Sequence, residues 1–361
     1  MRWEKGAVSM RSFDYAALRA RTWNSEILSY VAKIHEYKGK QELFLRQKPM
    51  ELNRLIEIAK IQSTESSNRI EGIVTTHPRL KQLMDDKTTP RNRDEEEILG
   101  YRNVLSLIHE NYAYIFVTPN YILQLHRELM KYTSLSYGGR FKTVPNEIDL
   151  VLPTGGRKLL FQPLEPYETP EAVERICSSF RQARDLEQID VLLLIPCFLL
   201  DFLCIHPFND GNGRMSRLLT LLLFYQSGYF VGQYISIEKA IADTKDNYYA
   251  ALAEADRGWR EGKNDPEPFI TYMLAIILSC YKEFEYRLHI AEQSGTRSTS
   301  YDIVKTCIAQ KIGTFSKQEI LAECPSIGRS SVEAALRKLV AEGELDKIGA
   351  GRKTRYARRN G

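Results

Sequence analysis

The 361-residue sequence predicts a mainly α protein: a helical bundle interrupted by one short β-hairpin flap, followed by a small separate unit of helices and strands. Three observations predict it. Apolar residues recur at helical spacing through most of the chain. The pattern breaks at Tyr137-Gly138-Gly139-Arg140, and the stretch to Leu164 is rich in Val, Ile, Pro and Gly. Finally, Gln293-Ser294-Gly295-Thr296-Arg297-Ser298-Thr299-Ser300 is small, polar and aperiodic, which reads as a linker. About sixty residues lie beyond it, enough for an independent small domain.

The length suggests two or three domains. At 43% hydrophobic and 27% charged residues the composition is that of an ordinary globular chain with real cores. Net charge is +4, but unevenly placed. From Arg297 onward there are 13 Lys and Arg against 7 Asp and Glu. That +6 leaves −2 for the rest, so the tail suits an acidic partner, nucleic acid first. Cys177, Cys197, Cys204, Cys280, Cys307 and Cys324 are scattered, form no C-x-x-C pair and have no His at zinc-ligand spacing, so buried, reduced thiols in a cytoplasmic protein are expected. The N-terminus, Met1-Arg2-Trp3-Glu4-Lys5, has no signal-like apolar core. The most apolar run, Val191–Ile205, is broken by Pro196 and Asp201 and is too short for a bilayer. It reads as a buried helix, and no membrane association is expected.

Leu52, Leu55, Ile56, Ala59 and Ile70 mark a first helical face, running into Ser63–Gly72. Further helices are expected at Glu95–His109, Tyr121–Met130, Pro170–Leu186, Val191–Ile205, Arg214–Gln226, Asn247–Glu261 and Pro268–His289. Phe141–Val144 and Lys158–Phe161 read as the two strands of the flap. Residues 1–50 carry no interpretable motif beyond helices that cover the body. The expected domains are 1–110 (N-terminal helices), 111–290 (core), 291–300 (linker) and 301–361.

The informative stretch is His206-Pro207-Phe208-Asn209-Asp210-Gly211-Asn212-Gly213-Arg214-Met215-Ser216-Arg217. An apolar helix ends at Ile205, and a loop carries one His and one Asp. Gly211-Asn212-Gly213 then leads into a new apolar helix. Glycines let the backbone approach a ligand closely, and a helix N-terminus adds unpaired donors and a positive dipole end. The loop is therefore suited to phosphate. Arg214 and Arg217, three apart, can fork onto phosphate oxygens. Asp210 is a hard oxygen ligand suited to Mg2+ on a polyphosphate. His206 can take a proton near neutral pH. Singly, each residue has a bland explanation, as a cap, a turn or a core residue. Within twelve residues they favour a site.

H-P-F-x-D-G-N-G-R-x-x-R matches the signature of the Fic (filamentation induced by cAMP) family at every fixed position, and the sequence resembles that family over roughly residues 50–285. The resemblance implies a Fic-type helical bundle and a protein adenylyltransferase, which moves AMP from ATP onto a Tyr, Thr or Ser hydroxyl. It implies His206 as general base and Asp210 as the Mg2+ ligand. Gly211, Asn212, Gly213, Arg214 and Arg217 would lie on the nucleotide phosphates, with Met215 and Ser216 of the same motif in the nucleotide-contacting set. The target hydroxyl attacks the α-phosphate and pyrophosphate leaves. Leu125-His126-Arg127-Glu128-Leu129, with Gly139 and Arg140, is similar to the approach to the Fic flap. That flap, residues 141–162, would take an extended segment of the protein target by strand addition. Tyr248 and Tyr249 resemble the family's tyrosine pair near the nucleotide base, with core packing an equal reading. Relatives often dimerise, which puts a homodimer among the implied partners.

Ser67-Asn68-Arg69-Ile70-Glu71-Gly72 fits the family's inhibitory motif, Ser/Thr-x-x-x-Glu-Gly/Asn. Ser67 and Glu71 share a helix face. A carboxylate placed on Arg217 would occupy the fork meant for the γ-phosphate, making Glu71 both an inhibitory residue and part of the nucleotide site. The plain alternative is a helix that ends at Gly72 with Glu71 in solvent.

In the tail, Tyr301–Ala357 reads as three helices and two strands. Ser316-Lys317-Gln318-Glu319 forms a capping box. Gly328-Arg329-Ser330-Ser331 opens a helix with Val332, Ala335, Leu336, Leu339 and Val340 inward. Strands at Leu345–Ile348 and Thr354–Ala357 flank Gly349-Ala350-Gly351-Arg352-Lys353. This resembles a winged helix-turn-helix, with Arg329, Ser330 and Arg337 facing a DNA groove and Arg352, Lys353 and Arg355 on phosphates. Winged helices also serve as protein-docking or dimer modules. Gly349–Thr354 lacks phosphate-loop spacing and lies between strands.

Two functions follow: an autoinhibited adenylyltransferase, or a DNA-binding regulator that uses the domain as a nucleotide sensor. An intact His206 favours the enzyme, since a sensor needs no base. Transfer of another phosphate-containing group, or AMP removal, also fits the sequence.

Overall fold

The computed structural model describes residues 11–47, 49–85, 88–135, 137–151, 157–293, 299–309, 311, 313–324, 327–351 and 354–359. The chain falls into two compact units, residues 1–49 with 59–281 and residues 50–58 with 282–361. The stretches 1–110 and 111–290, expected to be separate, thus share the first unit over most of their length. Linker residues 294–298 lie outside the described residues.

After a 3-10 turn at Tyr15–Ala20, α1 spans Ser25–Gln47 and α2 spans Pro49–Ile70. Gly72, at φ +81°, turns the chain away from α2, in the left-handed conformation that glycine adopts without strain. Next come α3 (His77–Met84), α4 (Arg93–Asn111) and α5 (Pro119–Leu129). Asn92 caps α4 by accepting from the Glu95 amide, and Asp94, Glu95 and Glu96 suit the positive end of its dipole. Thr118 caps α5 ahead of Pro119. α4 packs on α5 so closely that a Cβ on Gly100 would stand 1.9 Å from the Leu129 carbonyl oxygen.

The flap is a hairpin of β1 (Ile148–Val151) and β2 (Arg157–Phe161), paired antiparallel from Ile148↔Phe161 to Val151↔Arg157. The expected first strand, Phe141–Val144, is not a strand. The Lys142 amide donates to the Pro207 carbonyl at 2.8 Å, so this segment pairs with the His206 loop, and Pro145 has no donor for a ladder.

α6 (Thr169–Asp185), α7 (Val191–Ile205) and α8 (Asn212–Gln226) follow, with α7 packed on both neighbours and α8 also on α4. α7 is buried from Leu192 through Phe202, as its all-round apolar sequence predicts. Short α9 (Val231–Tyr234) and α10 (Ile237–Asp243) lead to α11 (Lys245–Ala255) and α12 (Glu267–Gln293). α11 stops at Ala255, short of the expected Glu261, because the chain turns through Gly258 and Gly262, both at positive φ, to bury Trp259. The described residues contain no helix long and apolar enough to cross a membrane. The six cysteines form no disulfide, and all are buried except Cys307, which is partly buried.

In the second unit, α13 (Ser300–Ala309), β3 (Thr314–Ser316), α14 (Lys317–Glu323) and α15 (Arg329–Ala341) precede β4 (Leu345–Ile348) and β5 (Arg355–Arg358). The sheet order is β3-β5-β4, all antiparallel. Strand β3 was not expected; three residues are too few to show an alternation. The Ser316 hydroxyl accepts from the Glu319 amide, capping α14. Val332, Ala335, Leu336 and Leu339 are buried on α15 with Val304, Phe315 and Leu345. Arg352 and Lys353 lie outside the described residues.

Candidate active site

The site forms where α7 ends and α8 begins. His206 terminates α7 in the left-handed conformation, φ +52°, which is rare for a residue with a Cβ. Its amide still donates to the Phe202 carbonyl at 3.0 Å. Its ring Nδ1 lies 3.2 Å from the Leu203 carbonyl oxygen. A carbonyl only accepts, so Nδ1 carries the proton and Nε2 is left with a free lone pair. Burial pushes the His206 imidazole down to about 4, so it is neutral, and able to accept a proton, at ordinary pH.

The loop between the helices is held rigidly. The Asn212 side chain accepts from the Phe208 amide at 2.9 Å and donates to the Phe208 carbonyl at 2.8 Å. Gly211, at φ +83°, starts α8, and the first helical bond runs from Met215 to the Gly211 carbonyl. The amides of Asn212, Gly213 and Arg214 therefore point out of the helix end without intrahelical partners. A Cβ on Gly213 would lie 2.2 Å from the Glu71 carboxylate. Only glycine permits that approach.

Glu71 follows α2 directly and reaches α8. Its Oε1 is 2.7 Å from an Arg217 guanidinium nitrogen. Arg217 also donates to the Ser67 hydroxyl at 2.8 Å and the Ser67 carbonyl at 2.9 Å. The guanidinium is only 2% exposed, the Glu71 carboxylate 32%. Lys245 donates to the Ile70 carbonyl at 2.7 Å, fixing the end of α2. A carboxylate thus occupies both the arginine fork and the helix N-terminus, the two features suited to phosphate.

Four residues of the expected nucleotide-contacting set have their side chains engaged within the protein. Arg214 is 1% exposed, with its guanidinium 2.6 Å from Glu97 on one side and 3.2 Å from Asp210 on the other, so it braces the loop. The Asn212 amide is taken up by Phe208. Met215 is wholly buried in the core. Ser216 is buried and hydrogen-bonded with Tyr248. Tyr248 is also buried, packing on Tyr272 and Phe269, while Tyr249 is 41% exposed. Of the pair, Tyr249 is the one open to a ligand.

Several contributors were not picked out from sequence as functional. His126 is fully buried and stacks on Phe208, with ring centroids 3.7 Å apart and planes 8° apart. The Gly139 amide donates to its Nδ1 at 3.0 Å, so Nε2 carries the proton toward the Asp210 carbonyl at 3.1 Å. This histidine ties the turn before the flap to the Asp210 loop. Lys142 donates to the Ile205 carbonyl at 3.0 Å and to Asn146 at 2.8 Å, and Asn146 donates to the Phe208 carbonyl at 3.0 Å. Burial lowers the Lys142 amine to about 8. His126 lies in the Leu125–Leu129 stretch that resembled the approach to the flap, whereas Lys142 and Asn146 sit in a loop with no periodic signal.

Among the described residues, no group of three or more His, Cys, Asp or Glu could hold a metal by itself. Asp210, one-third exposed at the loop edge, suits a different ion. Mg2+ commonly takes one or two carboxylates and completes its shell with substrate phosphates and water, so the donor set fits a metal that arrives with a polyphosphate.

A proton acceptor and a helix N-terminus suited to anions thus lie on one loop within a helical body. Residues 116–224 match the Fic/DOC family model. The chain is 26% identical over 228 residues to "Protein adenylyltransferase Fic" of Drosophila mojavensis, covering 62% of this chain and 40% of that protein. It is 27% identical over 186 residues to "Protein adenylyltransferase fic-1" of Caenorhabditis elegans, covering 50% and 32%. The chain therefore spans less than half the length of either relative. The fold is similar to that of a Fic family protein from Desulfovibrio desulfuricans G20, with a TM-score of 0.61, 19% identity, and 94% of this chain and 98% of that chain covered.

Proposed function

We propose that this chain is a protein adenylyltransferase that moves AMP from ATP to a hydroxyl side chain of a protein and is restrained by Glu71. The observation that carries the reading is His206: a half-buried, neutral imidazole, its Nδ1 turned to the Leu203 carbonyl and its Nε2 free, on the loop that opens the anion cradle of α8. The naming of relatives as protein adenylyltransferases supports the choice of AMP.

Nε2 of His206 takes the proton of the target hydroxyl as its oxygen bonds to the α-phosphorus. The bond from that phosphorus to the bridging oxygen breaks, and pyrophosphate leaves. Arg217 and the α8 amides hold the phosphates, and positioning with charge neutralisation supplies most of the rate. Asp210 would hold Mg2+, which when bound offsets charge on the phosphates. Tyr249 would border the base. The flap, residues 141–162, would dock the target segment as a strand added to the β1–β2 hairpin.

While Glu71 occupies Arg217, the γ-phosphate has no fork, and ATP binds in an unproductive pose. The three helices and β3-β5-β4 sheet of the second unit support a winged-helix reading of 301–361. There, Arg355 is spent on the Thr314 carbonyl and Arg329 on Glu333, which leaves DNA as the lesser reading.

Purified wild type and His206→Ala, incubated with Mg2+ and ATP labelled on the α-phosphate and followed by intact mass, separate the enzyme from a nucleotide-sensing regulator. Transfer lost in His206→Ala while ATP binding survives supports the enzyme. Labelling of His206→Ala as strong as that of a wild type that does label would refute His206 as base.

A further inference from the structure

The N-terminal turn of α4 brings a second guanidinium to Asp210, and the result is a closed ring of alternating charge. Arg93 lies 2.6 Å from one Glu97 oxygen, and the other Glu97 oxygen lies 2.6 Å from Arg214. Arg214 lies 3.2 Å from Asp210 Oδ1, and Arg93 closes the ring 3.1 Å from Asp210 Oδ2. Both oxygens of the carboxylate thus face a cation, and Oδ1 also accepts from the Gly211 amide at 2.6 Å.

The members are not equivalent. Glu97 and Arg214 are 4% and 1% exposed, while Arg93 is 58% exposed. Moving Arg214 would strand buried charges, which is costly. If Arg93 swings out, Glu97 keeps Arg214 and the guanidinium enters water.

We propose that Arg93 is a built-in competitor for the divalent cation at Asp210, holding the carboxylate until a metal–polyphosphate displaces it. This rests on the reading of Asp210 as the metal ligand. A guanidinium and a divalent cation that both contact Oδ2 repel each other, so each weakens the hold of the other. The guanidinium keeps the carboxylate aimed, and it weakens metal binding by the strength of the pair it must surrender. An exposed pair is worth at most about 1 kcal/mol, which converts to roughly fivefold in affinity. Arg93 therefore sets how much metal–nucleotide is needed, with Arg214 and Glu97 as the fixed half of the ring.

The test uses the full chain with a non-transferable ATP analogue and Mn2+ as paramagnetic probe, titrated by electron spin resonance, and so needs no turnover. Wild type, Arg93→Gln and Asp210→Asn are compared. Arg93 is exposed on a first helical turn, so its replacement leaves the core intact. The expected result is Mn2+ bound about two- to fivefold more tightly by Arg93→Gln and far more weakly by Asp210→Asn. Unchanged or weaker binding in Arg93→Gln, with Asp210→Asn still defective, overturns the competitor alone. Undiminished binding in Asp210→Asn removes the metal reading and the competitor with it.

Discussion

Replacing Glu71 with Gly removes the one carboxylate in the α8 cradle. Arg217 would keep its two bonds to Ser67, at 2.8 and 2.9 Å, and lose the 2.7 Å contact to Glu71. A charge-assisted contact of this kind contributes ~1.5–3 kcal/mol. Glu71 is one-third exposed, so the lower part of that range, ~2 kcal/mol, is appropriate after screening. ATP must displace this contact to seat its γ-phosphate. Its removal should therefore raise the rate of self-modification by roughly ten- to thirtyfold, at 1.4 kcal/mol per decade. A second effect has the opposite sign. Arg217 is 2% exposed and would lose its counter-charge, so the ATP-free variant should melt earlier than wild type, and ATP should restore more stability to the variant. Glu71→Gln separates charge from bulk: it keeps the shape and should release the brake only partly. The assay is intact-mass detection of AMP addition with Mg2+ and ATP, alongside thermal unfolding with and without nucleotide. A rate unchanged in Glu71→Gly, with His206 still required, would refute the brake and leave Glu71 as a helix-end salt bridge.

Gly213→Ala should be defective in a way that Glu71→Gly cannot rescue. The new Cβ falls 2.2 Å from Glu71 Oε1, on the surface where phosphate would sit, so the double variant should still bind ATP weakly by calorimetry. Normal affinity there would move the phosphates elsewhere. The buried histidines make stability pH-dependent. Burial lowers His126 to about 4 and His109 to about 3, below the usual 6.5. Between these values the unfolded chain binds the protons and the folded one does not, so stability falls as pH drops from about 6.5 toward 4. For His126 the ceiling is ~3 kcal/mol. Chemical denaturation across that pH range should show a slope that flattens in His126→Phe, which keeps the stack on Phe208; an unchanged slope would reject His126 as a source.

Much of this arrangement was legible along the chain because local chemistry writes it there. The run of buried apolar residues in α7 and the Gly211-Asn212-Gly213 turn each follow from neighbours within a few positions. The strand expected at Phe141–Val144 failed because its backbone donor went to Pro207, sixty-five positions away, a partner no local pattern announces. Arg214 misled for a related reason. An arginine three residues from Arg217 looks equally ready for phosphate, and only the arrival of Glu97 from α4 buries it.

The sequence by itself determined the mainly helical class, the motif that carries His206 and Asp210, and the presence of Ser67 and Glu71 at helical spacing. Those are properties of periodicity, turn chemistry and residue type, which a short window contains. The tertiary structure alone decided that Glu71 reaches the Gly213 face of α8, that Arg214 is a brace, that His126 locks the Asp210 loop and that Arg93 closes a ring on its carboxylate. Each joins helices far apart in sequence, and which charges meet across them is fixed by packing, for which no local signal exists.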